Sequence, residues 1–469
     1  MKSELSVQKV IFPMSLYFFL SAVIVTLLAL VFFAFLQRFE RSVLPEHLLH
    51  HPVLYHRNLI SHQHGNMLTT LVKELMIYPS NIKADTLTGS WKIRHPHIGE
   101  AIPTGRVVDL VANFTTFKCD HEFMVPNADK TMCILPQRID IGKHFIKSGG
   151  VDGKRESYQQ SLQRVTSFGR YYMGTEGLDP RLPPLIGELF RLDNFQQAAK
   201  DICPHDKQLL DPFQFNVIIQ IPGQTVASHI DAPLFWGADR TDFPQWLLAV
   251  MVFSNLFREK FIDQVQVVGY LSDIAPKGAT PEELDAIGGE FVYYQANDKG
   301  RYSKESAEYL AGSCVDGSKL VHASRIYRPD VQVPTLDKDK DSELVYVGEE
   351  KWELRVDGKV ISVYLHKDLR ISIVYRARCF ADEVELEHYR RFPSEKRMQL
   401  EDVLNKLVDK MVDDKAISKE NALALSRLDL ALLLMDYYIK YPLPSAEKAL
   451  LPWNYCLISK LYPFLGSIC

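Results

Sequence analysis

Apolar positions along the chain fall into two regimes. The first is a single uninterrupted run at the N-terminus, where no charged residue occurs from Val10 to Leu36. At ~1.5 Å per residue a helix of that length crosses a ~30 Å hydrocarbon core with some tilt. The run closes in Phe32-Phe33-Ala34-Phe35-Leu36-Gln37, without the small residues of a cleavage site, which favours an uncleaved anchor over a signal peptide. The second regime is short and periodic. Phe213–Gln220 is apolar and β-branched and predicts a buried strand, broken by Pro222-Gly223. Gly288-Gly289-Glu290 reads as a turn feeding a strand at Phe291, and Asp316-Gly317-Ser318 as a turn into the strand Lys319–Ser324. Arg370–Arg376 alternates with period two, which puts Arg370 and Ser372 on one face and Ile371, Ile373 and Tyr375 on the other. Helical spacing predicts amphipathic helices over Leu185–Ala199 and Met398–Val412, and Ser418 starts another that runs to Ile439 before Pro442.

These patterns divide the 469 residues into a short tail (1–9), a transmembrane anchor (10–36), a stem (37–100), a large domain (101–380, with its core at 211–380) and a C-terminal helical region (381–469). Packing of the C-terminal helices on the core, or a homodimer through them, are the two expectations for that region. The net charge of −4 and the lack of a basic stripe argue against a nucleic-acid partner. Lys2 and Lys9 before the anchor balance Arg38 and Arg41 after it, so charge does not orient it. The single sequon, Asn113-Phe114-Thr115, favours a glycoprotein with a luminal C-terminal domain, hence a type II signal-anchor protein of the endoplasmic reticulum or Golgi. Cys119 and Cys133 bracket a short loop that a disulfide would close in that compartment. Six of the fifteen His lie between His47 and His64 with no Cys or carboxylate set regularly among them, which reads as a solvated stem rather than a metal site.

The sharpest chemical signal is His229-Ile230-Asp231, six residues after Gly223. On an extended segment the imidazole and the carboxylate share a side. Alone, an H-x-D triplet is common by chance. With a further His from the strand at His322 it would make the two-His, one-carboxylate facial set that holds Fe(II) and leaves open positions. Aromatic residues Trp236, Phe243 and Trp246 follow the triplet and read equally as pocket lining or as core.

The ordered set of strand, Pro-Gly, H-x-D, Gly-Gly-Glu strand, distal His and final basic strand resembles the Fe(II)/2-oxoglutarate-dependent dioxygenase superfamily. Its local spacing is similar to the prolyl 4-hydroxylase-like branch, over roughly residues 210–380. The resemblance implies a mainly β fold with flanking helices (α+β), whose core is a double-stranded β-helix of the jelly-roll class. It also implies iron ligands His229, Asp231 and His322, and an anchor for the far carboxylate of 2-oxoglutarate at Arg370 with Ser372. O₂ would be the second cosubstrate, ascorbate a candidate reductant, and succinate and CO₂ the coproducts. Tyrosines common in the family before and after the Gly are replaced by Gln220 and Val226. The long interval from His322 to Arg370 predicts an inserted ribbon, with Glu343–Val347 and Trp352–Tyr364 about the turn Asp357-Gly358. Arg325 and Arg328 lie nearer His322 and compete with Arg370 for the anchoring role, although Pro329 interrupts their strand.

The function expected is therefore a membrane-anchored dioxygenase that hydroxylates a substrate, whether peptidyl, lipid or small molecule. Two alternatives stay open at this point. A type II glycosyltransferase would use the D-x-D within Asp337–Asp341, which reads more readily as a solvated loop because no apolar strand precedes it. A catalytically inactive jelly-roll scaffold would keep the same ligands without turnover.

Overall fold

The computed structural model describes residues 21–32, 43–81, 102–103, 105–109, 114–119, 124–126, 131–174, 179–274, 278–296, 300–336, 340–445, 454–459 and 462–467. Residues 21–32 are helical and belong to a unit of their own, Met1–Val43. Val23, Ile24, Val25, Leu27 and Leu28 on it are exposed. No helix among the described residues is long and apolar enough to cross a membrane. The rest of the expected anchor, and the sequon at Asn113, lie outside the described residues.

The second unit, Leu44–Cys469, combines helices with antiparallel sheets. Its strands in chain order are β1 (Val53–His56), β2 (Ile77–Pro79), short strands β3 to β7 between Ile102 and Ile134, β8 (Phe168–Met173), β9 (Leu209–Gln220), β10 (Gln264–Tyr270), β11 (Phe291–Tyr293), β12 (Ser303–Glu305), β13 (Gly312–Val315), β14 (His322–Ser324), β15 (Ser342–Gly348), β16 (Lys351–Val356), β17 (Lys359–Leu365) and β18 (Arg370–Phe380). A six-stranded sheet has the order β1-β13-β10-β18-β9-β8, and a three-stranded one the order β12-β11-β14.

The period-two pattern of the central strands decides what each face of the large sheet does. β9 and β18 pair with Arg370 opposite Gln220, Ser372 opposite Ile218, Val374 opposite Asn216 and Arg376 opposite Gln214. One face therefore carries Phe215, Val217, Ile219, Ile371, Ile373 and Tyr375, which share a large apolar cluster with the helices packed on that face. The other face carries Gln214, Asn216, Gln220, Arg370, Ser372 and Arg376, mostly buried, and β10 adds Gln266 and Tyr270 to it. Pro212 is accommodated where the β9–β18 register shifts between Arg376 and Ala377, as proline in a central strand requires.

Several expectations are corrected. Residues 44–81 are not a stem. β1 forms the edge of the six-stranded sheet against β13, β2 pairs with β15, and Leu44, Leu48, Leu59, Ile60, Leu68, Val72 and Tyr78 are buried. The clustered histidines serve local contacts there: His47 Nε2 lies 2.8 Å from Val252 O, and His51 Nε2 2.9 Å from His47 O. The helix expected at Leu185–Ala199 is two, Pro184–Leu189 and Asp193–Lys200, parted where Leu192 turns extended. That break brings the Phe190 and Phe195 rings to 4.4 and 5.2 Å from Tyr375. The segment after Ser418 likewise divides, into Lys419–Leu423 and Arg427–Tyr438, because Ser426 caps a new start through Asp429 N.

The inserted ribbon is a three-stranded meander, β15-β16-β17, extended by β2 and anchored by buried Trp352 and Leu354. The helices Leu400–Asp413 and Arg427–Tyr438 bury Leu404, Leu407, Met411, Leu434 and Met435 in one cluster with the helix Gln245–Ser254, which is apolar and buried from Trp246 to Phe253. Their apolar faces are thus covered within the chain. Trp246 and Phe243 are fully buried in that cluster, and Trp236 packs on His388, Tyr389 and Phe392, so these aromatics are core.

Among the described residues disulfides join Cys119 to Cys133 and Cys203 to Cys379, the latter spanning 176 residues from the outer helices to β18, and Cys456 is disulfide-bonded as well. Closing so long a loop restricts the unfolded chain strongly. Cys379→Ser is expected to lower stability by about 3–5 kcal/mol in denaturant unfolding followed by circular dichroism. A non-reducing peptide map should recover these two pairs and a bonded Cys456, with the buried Cys314 as a free thiol.

Candidate metal centre

The chain after β9 is drawn across the small sheet by a ladder of backbone and side-chain bonds. Gly223 N donates to Tyr327 O at 2.6 Å, and Tyr327 N to Gln224 O at 2.9 Å. Gly223 holds φ +94, and a Cβ there would press on Val331 O at 2.8 Å, so only glycine makes this turn without strain. Ser324 closes the next rung, its N donating to Val226 O at 2.9 Å and its Oγ accepting from Val226 N at 2.8 Å. Then His229 and His322 exchange both backbone bonds, each at 2.9 Å, and Asp231 N donates to Gly317 O at 2.8 Å.

This ladder brings together the three residues expected as ligands. Among the described residues, His229, Asp231 and His322 form a group whose ligating atoms all lie within 4.8 Å of one another. Each imidazole has its Nδ1 against a backbone carbonyl, His229 on Ala227 O at 2.8 Å and His322 on Leu320 O at 2.9 Å. With Nδ1 as donor, Nε2 of each ring is left as a lone-pair donor for an ion. Burial, together with nearby His229, pushes the His322 pKa down to about 3, so its imidazole is neutral at neutral pH. Burial alone would raise the Asp231 pKa, but Arg376, His229 and His322 outweigh it and hold the carboxyl well below the usual carboxylate range.

The donor set fits a divalent ion on a further count. Asp231 Oδ1 accepts from Arg376 Nη2, while Asp231 Oδ2 is buried with no hydrogen-bond partner among the described residues. A buried carboxylate oxygen without a partner costs about 1–3 kcal/mol or more, and an ion held beside the two Nε2 atoms would relieve it. Arg376 also donates from Nε to Gln266 Oε1 at 2.8 Å and from Nη1 to Gln214 Oε1 at 3.2 Å. Gln266 Nε2 in turn lies 3.3 Å from His322 Nε2. Arg376, Gln266 and Gly317 belong to the site although sequence reasoning did not assign them. The period that put Arg370 and Ser372 on one face also puts Arg376 there, and Gln266 is a polar residue between Val265 and Val267.

Arg370 and Ser372 are both buried on the polar face of β18. Arg370 donates from Nε to Gly289 O at 2.9 Å and from Nη1 to Gln220 Oε1 at 2.6 Å, and its guanidinium lies 5.5 Å from the centre of the Tyr270 ring. No carboxylate among the described residues pairs with it, and burial lowers its pKa. The chain from Gly289 runs directly into Phe291, whose ring is 5.5 Å from that of His322. The competing arginines stand differently. Arg325 is already paired with Asp152 at 3.0 Å, Asp285 at 2.5 Å and Glu290 at 3.4 Å. Arg328 is 38% exposed and 3.6 Å from Asp368. Tyr270 is a phenol beside Arg370 that the sequence alone did not mark, on the same sheet face as Gln220.

On the other side of the ligands a cavity of about 840 Å³ opens, with His229, Asp231 and Arg376 in its wall. The D-x-D stretch Asp337–Asp341 lies partly outside the described residues.

No protein-family model matches this sequence, and no curated protein matches it. Solved structures similar to it include a 2OG-Fe(II) oxygenase family oxidoreductase from Burkholderia pseudomallei, at 13% identity and TM-score 0.25, covering 50% of this chain and 70% of that one. A prolyl-4-hydroxylase from Pseudomonas putida matches at 12% identity and TM-score 0.23, covering 45% and 71%. HygX from Streptomyces hygroscopicus, with nickel and 2-oxoglutarate bound, matches at 12% identity and TM-score 0.23, covering 45% and 69%. These are partial likenesses at low identity.

Gly317 offers a direct check of the centre. A methyl group there would sit 2.1 Å from Asp231 Oδ2 and 3.1 Å from the His322 ring. Gly317→Ala is therefore expected to weaken binding of a divalent ion on the order of 10–100-fold, as loss of a supporting contact does at other metal sites. Calorimetric titration with Mn(II) reads this directly, and unchanged affinity would contradict the proximity of Gly317 to the ligating oxygen.

Proposed function

We propose that this protein is an Fe(II)/2-oxoglutarate-dependent dioxygenase, built on a double-stranded β-helix, that oxidises a substrate held in the cavity beside His229 and Asp231. The observation that carries the reading is the combination of two imidazole Nε2 atoms and an unpartnered carboxylate oxygen with a buried, carboxylate-free guanidinium, Arg370, on the sheet face that also carries Arg376. A three-residue facial set leaves positions for a bidentate cosubstrate and O₂. Bound there, ferrous iron with 2-oxoglutarate would supply oxidative decarboxylation to succinate and CO₂ coupled to oxidation of the substrate. In this reading His229, Asp231 and His322 hold the ion, and Arg376 keeps Asp231 ionised and aimed. Arg370 takes the far carboxylate of 2-oxoglutarate as a fork, with Ser372 and Tyr270 beside it. Burial of the polar face keeps water from the reacting centre.

Removing Arg370 should discriminate this from the competing anchors. Loss of a buried charged partner typically costs ~3–5 kcal/mol, a weakening of hundreds-fold or more. Arg370→Ala should raise the 2-oxoglutarate dissociation constant by that factor while leaving Fe(II) affinity nearly intact, as measured by anaerobic calorimetry. Arg325→Ala and Arg328→Ala should change it little. A large loss in Arg328→Ala instead would transfer the anchoring role to that residue.

The location proposed is the lumen of the endoplasmic reticulum or Golgi, with the apolar Val10–Leu36 run as anchor. Disulfides form and persist in oxidising compartments, and the bonded pairs Cys119–Cys133 and Cys203–Cys379 support that setting. Expressed in cells, the large domain should survive protease in sealed microsomes until detergent is added. Its digestion without detergent would place it on the cytosolic side.

A further inference from the structure

The cavity beside the metal ligands is unusual for the number of guanidinium groups in its wall: Arg138, Arg181, Arg240, Arg376 and Arg378. Four of these have carboxylate partners. Arg138 pairs with Asp140 at 2.9 Å, Arg181 with Asp179 at 2.5 Å, Arg376 with Asp231, and Arg378 with Asp211 at 2.7 Å. Arg240 has none among the described residues. Its neighbour Asp239 is already engaged, accepting from Thr241 N and Oγ1 at 2.6 Å and facing Arg397 at 3.2 Å.

The pairing of Arg378 is also incomplete. Asp211 bridges two cations, taking Arg378 Nε on Oδ2 at 2.7 Å and Arg390 Nη2 on Oδ1 at 2.9 Å, and Arg378 Nη1 donates to Tyr389 OH at 3.0 Å. Arg378 is 3% exposed, and its Nη2 has no hydrogen-bond partner among the described residues. A buried, unpartnered guanidinium nitrogen in a cavity wall is costly unless a ligand supplies an acceptor. The rest of the wall includes Ile139, Leu162, Ile218 and Leu234, which give the cavity an apolar lining.

Resting on the dioxygenase reading above, we propose that the substrate oxidised at this centre has an apolar body and carries an anionic group, a carboxylate or a phosphate, taken by Arg240 and Arg378. Two positive groups with incomplete pairing match an anion in charge, and the guanidinium fork matches both oxyanions in geometry. The cosubstrate is a separate anion, because its far carboxylate is assigned to Arg370, which does not line this cavity. The cavity thereby selects for the substrate's charge while the apolar wall holds its body.

The test is binding of a matched set of probes to the full chain: 4-phenylbutyrate, 4-phenylbutyl phosphate and neutral 4-phenylbutan-1-ol. Calorimetry is run anaerobically with Fe(II) and 2-oxoglutarate, and repeated on the metal-free protein. At least one anion should bind about tenfold or more tighter than the alcohol, the margin expected of a charged hydrogen bond, and comparison of the two anions identifies the preferred group. Arg240→Gln should abolish the preference, Arg240→Lys should restore part of it, and 2-oxoglutarate affinity should stay within about twofold of the parent. Equal binding of the alcohol, no binding of either anion, or a preference untouched by Arg240→Gln would overturn the proposal. So would a fall in 2-oxoglutarate affinity in Arg240→Gln matching that of the probes, since the anion would then be the cosubstrate. If Fe(II) and 2-oxoglutarate fail to bind while the metal-free protein still prefers the anion, the anion site stands and the dioxygenase reading alone is lost.

Discussion

The site depends on one pair of backbone hydrogen bonds. His229 and His322 are far apart in the chain, yet each donates its N–H to the other's carbonyl at 2.9 Å. That exchange fixes the two residues opposite each other, with imidazole centroids 4.3 Å apart. It also fixes the register of the neighbouring residues, so that Asp231 N reaches Gly317 O and the carboxylate comes in beside both rings. Two imidazoles and a carboxylate cannot be gathered in a buried place by their own attraction, because each loses hydration there. The backbone ladder from Gly223 to Asp231 supplies the ordering. The desolvation is then offset locally, through the carbonyls at each Nδ1 and through Arg376 on Asp231.

The large sheet divides its labour in the same way on a wider scale. One face is ordinary core. The other buries glutamines, an asparagine and arginines, and several of their atoms have no partner among the described residues, including Asn216 Oδ1, Gln220 Nε2 and Gln264 Nε2. Native proteins seldom leave such groups unpaired. Their presence on the face that carries Arg370 and Arg376 suits the polar cosubstrate proposed for this site. The apolar face, clamped by the helices from Pro184 to Lys200 and by the meander around Trp352, carries the stability that lets the polar face be kept for chemistry.

Much of this was legible in the chain because period-two alternation is a strong local signal. It identified the strands ending at Gln220 and starting at Arg370, and it placed Arg370 and Ser372 on a shared face. The turn at Asp316-Gly317-Ser318 announced the strand of His322, though not that Gly317 itself would lie against Asp231. What the pattern could not carry was long-range pairing. The edge strand Val53–His56 looked like part of a polar, His-rich stem, since its partner β13 lies more than 250 residues away in sequence. Trp236, Phe243 and Trp246 were ambiguous because an aromatic near a site reads the same whether it faces the cavity or the core. The Cys203–Cys379 bond was invisible for the same reason as β1: nothing local marks a partner 176 residues on.

The central claim is that the triad His229, Asp231 and His322 and the buried Arg370 together hold a ferrous ion and 2-oxoglutarate. Anaerobic titration of the protein, first with Fe(II) and then with 2-oxoglutarate, observed by visible absorption, tests it most directly. The account predicts one Fe(II) bound per chain and a weak charge-transfer band that appears only when both are present and saturates with 2-oxoglutarate. Iron binding with no band at saturating 2-oxoglutarate, or a band that persists unchanged in His322→Ala, would contradict it.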